Sequence, residues 1–331
     1  MSTSQPAADR AALSRLAAFA RAPLIGGATP VEEMLRLRAA IGGGPRLLVK
    51  RDDAIPFGFG GNKTRKMEMV AADALATGAD TFVTVGGVQS NHMRATAATA
   101  AKLGLRCLLI ANGSKPEAPR ANALLDQLLG AEIEYIPSRA ERAAAMQAAL
   151  ERLHGEGRKP YAVPLGASTP LGALAFARAV GALLEQVEAP AVIVHASSSA
   201  GSQAGLVAGC VLNGLATRVV GISADDPANE IADNVRKILT GVAALVGGSA
   251  EAMAAASVTV DDSFVGDGYG MPTTASREAQ QLAARNEALF VDHWYTAKAL
   301  AAVIAYTRSG LFRENETVLF WHTGGQVALF A

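Results

Sequence analysis

The chain has 331 residues, half of them hydrophobic, with 30 basic and 30 acidic side chains. That length is more than one compact domain usually needs and predicts two. Balanced charge without a basic block argues against nucleic acid and against a polybasic membrane anchor, and no apolar run reaches the length of a membrane span, so a reducing cytoplasm is the expected compartment.

The first 24 residues are rich in Ala and Arg, carry Asp9 and run directly into APLIGGATPVEEM. They read as a leading helix, not a removed presequence. RLLVK (46–50) reads as a short strand, followed by a glycine-filled loop, AIPFGFGGNK (54–63). A helical pattern starts near Thr64. DTFVTVG (80–86) is a buried strand, then GVQSN and a second helix, MRATAATAAKLG. RCLLIA (106–111) and EIEYIP (132–137) are strands, each followed by a helix, ANALLDQLLG and RAERAAAMQAALERLHGEG. YAVPLG (161–166) leads into an alanine-rich helix after Pro170. AVIVHA (191–196) is a strand, SSSAGSQAG a Gly/Ser turn and LVAGCVLNGL a helix. TRVVGISA (217–224) and VLFWHTGG (318–325) complete the strands. Strands alternating with helices predict βαβ units and mostly parallel sheets, with helices over both faces of continuously apolar strands. Cys107 and Cys210 each sit in an apolar run and read as buried thiols. The five histidines form no metal-ligand pattern, so no metal is expected.

Four segments could carry chemistry. In GGNKTRK (60–66), Lys63 stands among glycines just before a helix start, with Arg65 and Lys66 adding positive charge. Such an amine becomes a nucleophile when burial or a nearby cation lowers its pKa. Spacing alone favours a plain basic turn. In GGVQSNHMR (86–94), Ser90, Asn91 and His92 face the carboxyl end of a strand, where open α/β sheets bind ligands; Ser90 or Asn91 could equally cap the following helix. ASSSAGSQAGL (196–206) is a strand–turn–helix with five small residues in a row, more than a cap needs. Its backbone amides suit an anion such as phosphate. In LFVDHWYTAKA (289–299) and LFWHTGGQ (319–326), Tyr295 and His322 alone read as structural. No G-x-S-x-G elbow appears, which disfavours an α/β-hydrolase.

Taken in this order, these segments resemble the D-cysteine desulfhydrase / 1-aminocyclopropane-1-carboxylate deaminase family, a branch of the tryptophan-synthase-β-like pyridoxal-phosphate enzymes. The likeness extends from RAPLIGGATPVEEM through PLGASTPLGAL and GDGYGMP to FWHTGGQVALF. VKRDD and GGNKTRK together with QSNHMR are highly specific to it; each motif alone is much weaker. The resemblance implies an α/β protein of fold type II, with two open, twisted, mostly parallel three-layer domains: 1–63 plus 173–331 as a large cofactor-binding domain and 64–172 as a small one. A homodimer is implied as well. Pyridoxal 5'-phosphate would lie between the domains, with Lys63 as the Schiff-base lysine and Asn91 bonded to the cofactor's phenolic oxygen. Ser199, Ala200, Gly201 and Ser202 would form the phosphate loop, with Lys66 as a further phosphate contact, and Thr323 would face the pyridine nitrogen. Gln89, Ser90, Asn91, His92 and Thr296 would bind a small amino-acid substrate, Ser90 beside its carboxylate. Tyr269 and Tyr295 would flank the substrate and manage protons at a leaving group. Lys63 would remove the α-proton, and the products would be a 2-oxo acid and ammonia.

Relatives that open a cyclopropane ring carry Glu after the second tyrosine, Leu in the last Gly-turn and Gln after the asparagine. Here those positions are Thr296, Thr323 and His92. All three point to elimination from a D-cysteine-like substrate, with L-cysteate or ring opening as alternatives. The phosphate loop, usually GSGGT, is SSSAGS here, and AIPFGFGGNK replaces TGLALGGNK near the substrate mouth. A non-catalytic binding protein on the same fold is the rival reading; Lys63, Asn91 and both tyrosines argue against it. A dehydrogenase is disfavoured because no G-x-G-x-x-G follows the first strand.

Overall fold

The computed structural model describes residues 7–331. In chain order the first half comprises α1 (Arg10–Ala18), β1 (Val31–Glu33), α2 (Leu35–Ala40), β2 (Arg46–Arg51), α3 (Asn62–Ala76), β3 (Thr81–Gly87), α4 (Asn91–Leu103), β4 (Arg106–Asn112), α5 (Ala121–Leu128), β5 (Glu132–Ile136), α6 (Arg142–Gly155) and β6 (Pro160–Val163). The second half comprises α7 (Pro170–Leu184), β7 (Val192–Ser197), α8 (Gly201–Leu212), β8 (Arg218–Ser223), α9 (Ala228–Val246), α10 (Ala250–Ala255), β9 (Thr259–Asp261), α11 (Thr274–Glu287), α12 (Thr296–Arg308) and β10 (Thr317–His322).

Two sheets result. One has six strands in the order β1-β2-β10-β7-β8-β9, with only the β1–β2 pair antiparallel. The other has four parallel strands in the order β5-β4-β3-β6. The apolar runs account for this. VIVHAS is buried throughout and TVLFWH from Val318 onward because helices cover both faces of the six-stranded sheet. On one face α7, α8 and α9 pack a core around Phe176, Leu206 and Trp321; on the other, α2, α11 and α12 pack around Leu47, Leu300 and Phe320. α3 and α4 cover one face of the four-stranded sheet and α6 the other. Helix starts follow local chemistry: Ser90 caps α4, and Thr169 caps α7 with Pro170 in its first turn. Cys107 and Cys210 are buried free thiols.

Several boundaries differ from the sequence reading. The leading helix covers Arg10–Ala18, and residues 1–6 lie outside the described residues. The short strands β1 and β9 had no periodic signal to announce them. The last strand ends at His322, and Thr323 to Gly325 form a turn in which both glycines have positive φ. α3 begins at Asn62, so Lys63 stands in a helical first turn and not in the preceding loop.

Two buried polar centres hold the elements that bear on the site. Asp52, just past β2, is fully buried. Its carboxylate accepts from Arg65 (2.5 and 2.9 Å), Trp321 Nε1 (2.8 Å) and Thr29 Oγ1 (2.8 Å), and its carbonyl accepts from the Gly61 amide (2.8 Å). Burial alone drives this carboxyl's pKa up, but the Arg65 guanidinium and the other donors outweigh it and hold it below the usual range. The start of α3 is thereby tied to β2 and β10. At the other centre, Lys298 of α12 is buried and donates to the carbonyls of Ala224 (3.2 Å), Val265 (2.8 Å) and Gly268 (3.1 Å). This ammonium pins the loop that carries Tyr269 to the end of β8.

Asp52→Asn should lower stability by about 3–5 kcal/mol, because it leaves Arg65 as an uncompensated buried charge; a reduced urea midpoint would measure it. Because the folded pKa is depressed, the carboxylate's contribution is present above about pH 4 and is lost as pH falls through the folded value. Lys298→Met leaves three carbonyls without their donor, and amide hydrogen exchange at Val265 and Met271 should accelerate roughly tenfold.

Candidate active site

A cavity of about 260 Å³ opens between the two sheets. Its walls come from the carboxyl ends of strands in both: Gly87 ending β3 and Ser90, Asn91 and His92 after it, Asn112 ending β4, Ala196 to Ala200 at and beyond the end of β7, Asp225 and Asp226 after β8, and Thr323 and Gly324 after β10. This is where parallel α/β sheets present loops and helix N-termini to ligands.

Lys63 Nζ lies on this wall and donates to Ser199 Oγ at 3.4 Å. Ser199 Oγ is 2.8 Å from Ser168 Oγ, which accepts from Lys66 Nζ at 3.1 Å. Two amines and two hydroxyls therefore form one chain. Among the described residues neither lysine is ion-paired with a carboxylate. Burial lowers the Lys63 pKa to about 8, and burial, together with the Lys63 charge, takes Lys66 well below its usual value. Two glycines let the backbone close on this amine. At Gly166, with φ +70°, an added Cβ would stand 3.0 Å from Lys63 Nζ; at Gly61, with φ +92°, it would stand 2.8 Å from the Thr323 carbonyl.

Beside Lys63 lies the start of α8. No side chain caps this helix, and Ala200 holds φ +66° immediately before it. The first-turn amides of Ser202 and Gln203 have no intrahelical acceptor, and the helix dipole adds positive potential. Ser202 Oγ accepts from Asn62 Nδ2 at 3.0 Å. Ser199, Ala200 and Ser202 line the cavity, and Gly201 opens the helix behind them, where a Cβ would collide with Ser168. An uncapped helix start flanked by two unpaired lysines is built for an anion.

At the start of α4, Ser90 Oγ accepts from the amides of His92 (3.2 Å) and Met93 (3.3 Å) and also lines the cavity, so the capping and ligand-facing readings hold together. Asn91 Oδ1 accepts from Asn122 Nδ2 at 2.9 Å, which leaves the Asn91 amide nitrogen as the donor on the cavity side. Thr323 lines the opposite wall. Tyr269 and Tyr295 are bonded hydroxyl to hydroxyl, their rings edge-on at 5.7 Å. Burial raises both phenols, Tyr295 well above its usual value with further help from Tyr269. Trp294 stacks on Tyr269 at 6.4 Å and fixes its ring plane.

Three of the expected site residues stand off the cavity wall, and a fourth, His92, lines it with its Nε2 bonded away from it. Lys66 is fully buried behind Ser168 and does not reach the cavity wall. Gln89 turns to the start of α5, accepting from the Asn122 amide at 3.0 Å and donating to the Arg120 carbonyl at 3.3 Å. Thr296 does not line the cavity: its hydroxyl donates to Asp292 Oδ1 at 2.6 Å, closing the first turn of α12. His92 borders the cavity but is 2 % exposed, with Nε2 bonded to Thr84 Oγ1 at 2.8 Å. Thr84 spends its single proton on the Val163 carbonyl at 2.7 Å, so His92 Nε2 carries the proton and Nδ1 is left a bare acceptor. Burial and the two lysine charges depress its pKa well below the usual value, which keeps it neutral.

Sequence reasoning passed over Asn62, Asn122, Ser168 and Gly166. Asn62, Ser168 and Gly166 lay inside quoted motifs but carried no ionisable or nucleophilic signature. Asn122 opens a helix in a segment without any motif.

Residues 23–324 match the family described as pyridoxal-phosphate dependent enzyme. Among curated proteins, the D-cysteine desulfhydrase of Klebsiella pneumoniae strain 342 is 37 % identical over 327 residues, which cover 96 % of this chain and 98 % of that one. Among solved structures, an ACC deaminase homologue superposes with a TM-score of 0.89 at 33 % identity, covering 97 % and 96 % of the two chains. Maize serine racemase shares the fold, with a TM-score of 0.68 at 18 % identity over 96 % and 95 %. Near-complete coverage by the family and by these relatives, on a fold of two parallel α/β sheets, identifies the chain as a member of the pyridoxal-phosphate dependent enzymes.

Proposed function

We propose that this enzyme removes a β-substituent and the amino group from a small amino acid, giving a 2-oxo acid and ammonia, with D-cysteine as the leading substrate. One observation carries the reading: a half-buried lysine amine without a carboxylate partner stands next to an uncapped helix start on the wall of one cavity. The cofactor brings an aldehyde and a phosphate, and this pairing suits both. Lys63 would hold the aldehyde carbon; the first-turn amides of α8, with Ser199 and Ser202, would hold the phosphate; Asn91 would donate to the ring oxygen; Thr323 would face the ring nitrogen. The 37 % identity to a D-cysteine desulfhydrase supports the choice of substrate.

When bound, pyridoxal phosphate supplies an electron sink conjugated to the substrate's α-carbon. The protein's groups do the rest. Ser90, whose oxygen already accepts two helix amides, turns its proton outward to a substrate carboxylate. Lys63 Nζ would take the α-proton. Tyr295, paired with Tyr269, would deliver a proton to the departing group. Thr323 would offer the ring nitrogen a neutral hydroxyl and no carboxylate, which suits elimination. Of the three positions that separate this chain from ring-opening relatives, Thr323 now carries the argument, because Thr296 is off the cavity and His92 is bonded behind it.

The division into domains, 1–63 with 173–331 and 64–172, belongs to the same proposal. It is supported by the four-stranded sheet lying wholly within the second range and the six-stranded sheet wholly within the first. A homodimer in the cytoplasm belongs to it too, on the family likeness.

Ammonia and 2-oxo-acid release, measured side by side on D-cysteine, L-cysteate, β-chloro-D-alanine and 1-aminocyclopropane-1-carboxylate, tests the reading. Turnover of the thiol and chloro substrates is expected; ring opening alone would defeat it. Lys63→Ala should abolish turnover and the borohydride-fixed cofactor label. Because burial holds the Lys63 amine near 8, cofactor uptake by the apoprotein should quicken as pH rises through about 8 and then level off. A flat profile from pH 6 to 10 would contradict that assignment.

A further inference from the structure

The cavity wall also carries charge that the proposed chemistry does not use. Arg142 is the first residue of α6, a fourteen-residue helix, and lies on the cavity wall. Its Nε and Nη2 both donate to one neutral acceptor, Asn112 Oδ1, at 2.8 and 2.5 Å. Among the described residues no carboxylate is ion-paired with it. Its neighbour Arg139 is different: that side chain spans to Asp225 (3.6 Å) and Asp226 (3.5 Å), so these two cavity carboxylates already share a cation. The preceding Glu141 offers nothing to Arg142 either, because its carboxylate accepts from Ser138 Oγ at 2.9 Å.

A guanidinium in a helical first turn opposes the helix dipole. Here it is also half-buried, and burial and the Arg139 charge both lower its pKa. Within the chain only the Asp225 carboxylate and the two phenols act against this, and none of them is bonded to the guanidinium. Its position does suggest a use: Arg142 is near enough to both phenols of the Tyr269–Tyr295 pair for their charges to be felt at it. Those phenols mark the leaving-group end of the proposed reaction. Asn112 takes one edge of the guanidinium and leaves the rest free. A guanidinium edge binds an oxyanion through two parallel donors, a geometry that a thiol or a halide cannot exploit.

We infer that Arg142, held by Asn112, is an anion subsite for the β-substituent, and that it extends the range of substrates beyond D-cysteine to small amino acids whose β-carbon bears an oxyanion: a sulfonate, a sulfate ester or a phosphate ester. The inference rests on reading the cavity as the site of β-elimination. In that reaction the Cα–H and Cβ–X bonds break and a carbon–carbon double bond forms. The proton passes to Lys63 Nζ, and X leaves with the electron pair as sulfite, sulfate or phosphate. Water then adds to the freed enamine's tautomer, releasing ammonia and the 2-oxo acid. Arg142 stabilises the charge that stays on X.

The test compares holoenzyme with Arg142→Gln on cysteate, O-phosphoserine, serine O-sulfate, D-cysteine and β-chloroalanine, each amino acid in both enantiomers. The ratio of kcat/KM for the best oxyanion substrate to that for β-chloroalanine should fall about 30-fold, the order expected on losing a charged two-point hydrogen bond. Asn112→Asp, which gives Arg142 an internal anion, should lower the same ratio without removing the arginine. Binding supplies a readout free of turnover: the Kd of 3-sulfopropanoate, measured calorimetrically on holoenzyme, should rise about 30-fold in both variants, and that of butanoate much less. Turnover of D-cysteine or β-chloroalanine with neither the ratio nor the Kd moved would overturn the subsite and leave the lyase reading intact. No turnover of any amino acid, with 3-sulfopropanoate binding still dependent on Arg142, would overturn the lyase reading and keep the subsite.

Discussion

Unpaired positive charge in a dry seam is the constraint around which this molecule is organised. Lys63 and Lys66 lie one helical turn apart on α3, the first half-buried at the cavity and the second fully buried, neither ion-paired with a carboxylate. Burying a cation without a partner costs several kcal/mol. The α8 start adds a third positive centre to the same place. On the proposed assignment an incoming phosphate would meet the α8 start and Lys63 directly and Lys66 through Ser168, which would couple cofactor binding to folding stability by mass action. Desolvation that would be a liability elsewhere is what keeps the Lys63 amine near neutral pH and reactive.

Such a seam needs rigid walls, and they come from the topology. β10 lies between β2 and β7, so the two ends of the chain meet at the centre of one sheet. The Asn62 amide donates to the Thr323 carbonyl at 3.0 Å, joining residues far apart in sequence. Asp52 fastens the same junction through Arg65 and Trp321, and the tilted Phe176–Trp321 pair at 5.8 Å packs α7 against it. Lys63 is thus placed by long-range contacts with β2, β10 and the α8 loop, while its own helix supplies only the last turn of positioning.

This explains what could be read from the sequence and what could not. Strands such as VIVHAS and TVLFWH declare themselves because a parallel, doubly covered strand has to be apolar along its length. β1 and β9, three residues each, have no room for a pattern. Motif residues with reactive chemistry, Lys63, Ser90, Asn91, Ser199 and Thr323, all reach the cavity. Thr296 and Gln89, neighbours of motif residues, do not, because one-residue steps along a helix start or a turn send side chains to different faces. Residues that act through others were invisible for a different reason. Asn122 matters only because its amide meets Asn91, and Lys298 only because three carbonyls converge on it; neither partnership exists before the chain folds.

The tyrosine pair shows how such indirect residues bear on chemistry. One hydroxyl proton is committed between the two oxygens, so the pair has a single proton to offer outward. Burial raises both phenols, which keeps that proton on the pair; in the proposed reaction only a strongly basic departing group would draw it off. The pair can do this only while its two rings keep their relative position, and they belong to separate segments. Tyr295 is fixed by Asp292, whose carboxylate accepts from its amide at 2.9 Å. Tyr269 sits on a loop with little packing of its own, held by Trp294 on one side and by the Lys298 ammonium beneath its neighbour Gly268. A buried cation again sets the geometry, here engaged by three carbonyls where Lys63 has only the Ser199 hydroxyl. The fold therefore uses the same kind of group in two ways: a lysine with three carbonyl partners builds the scaffold, and a lysine with one long hydrogen bond is left facing the cavity.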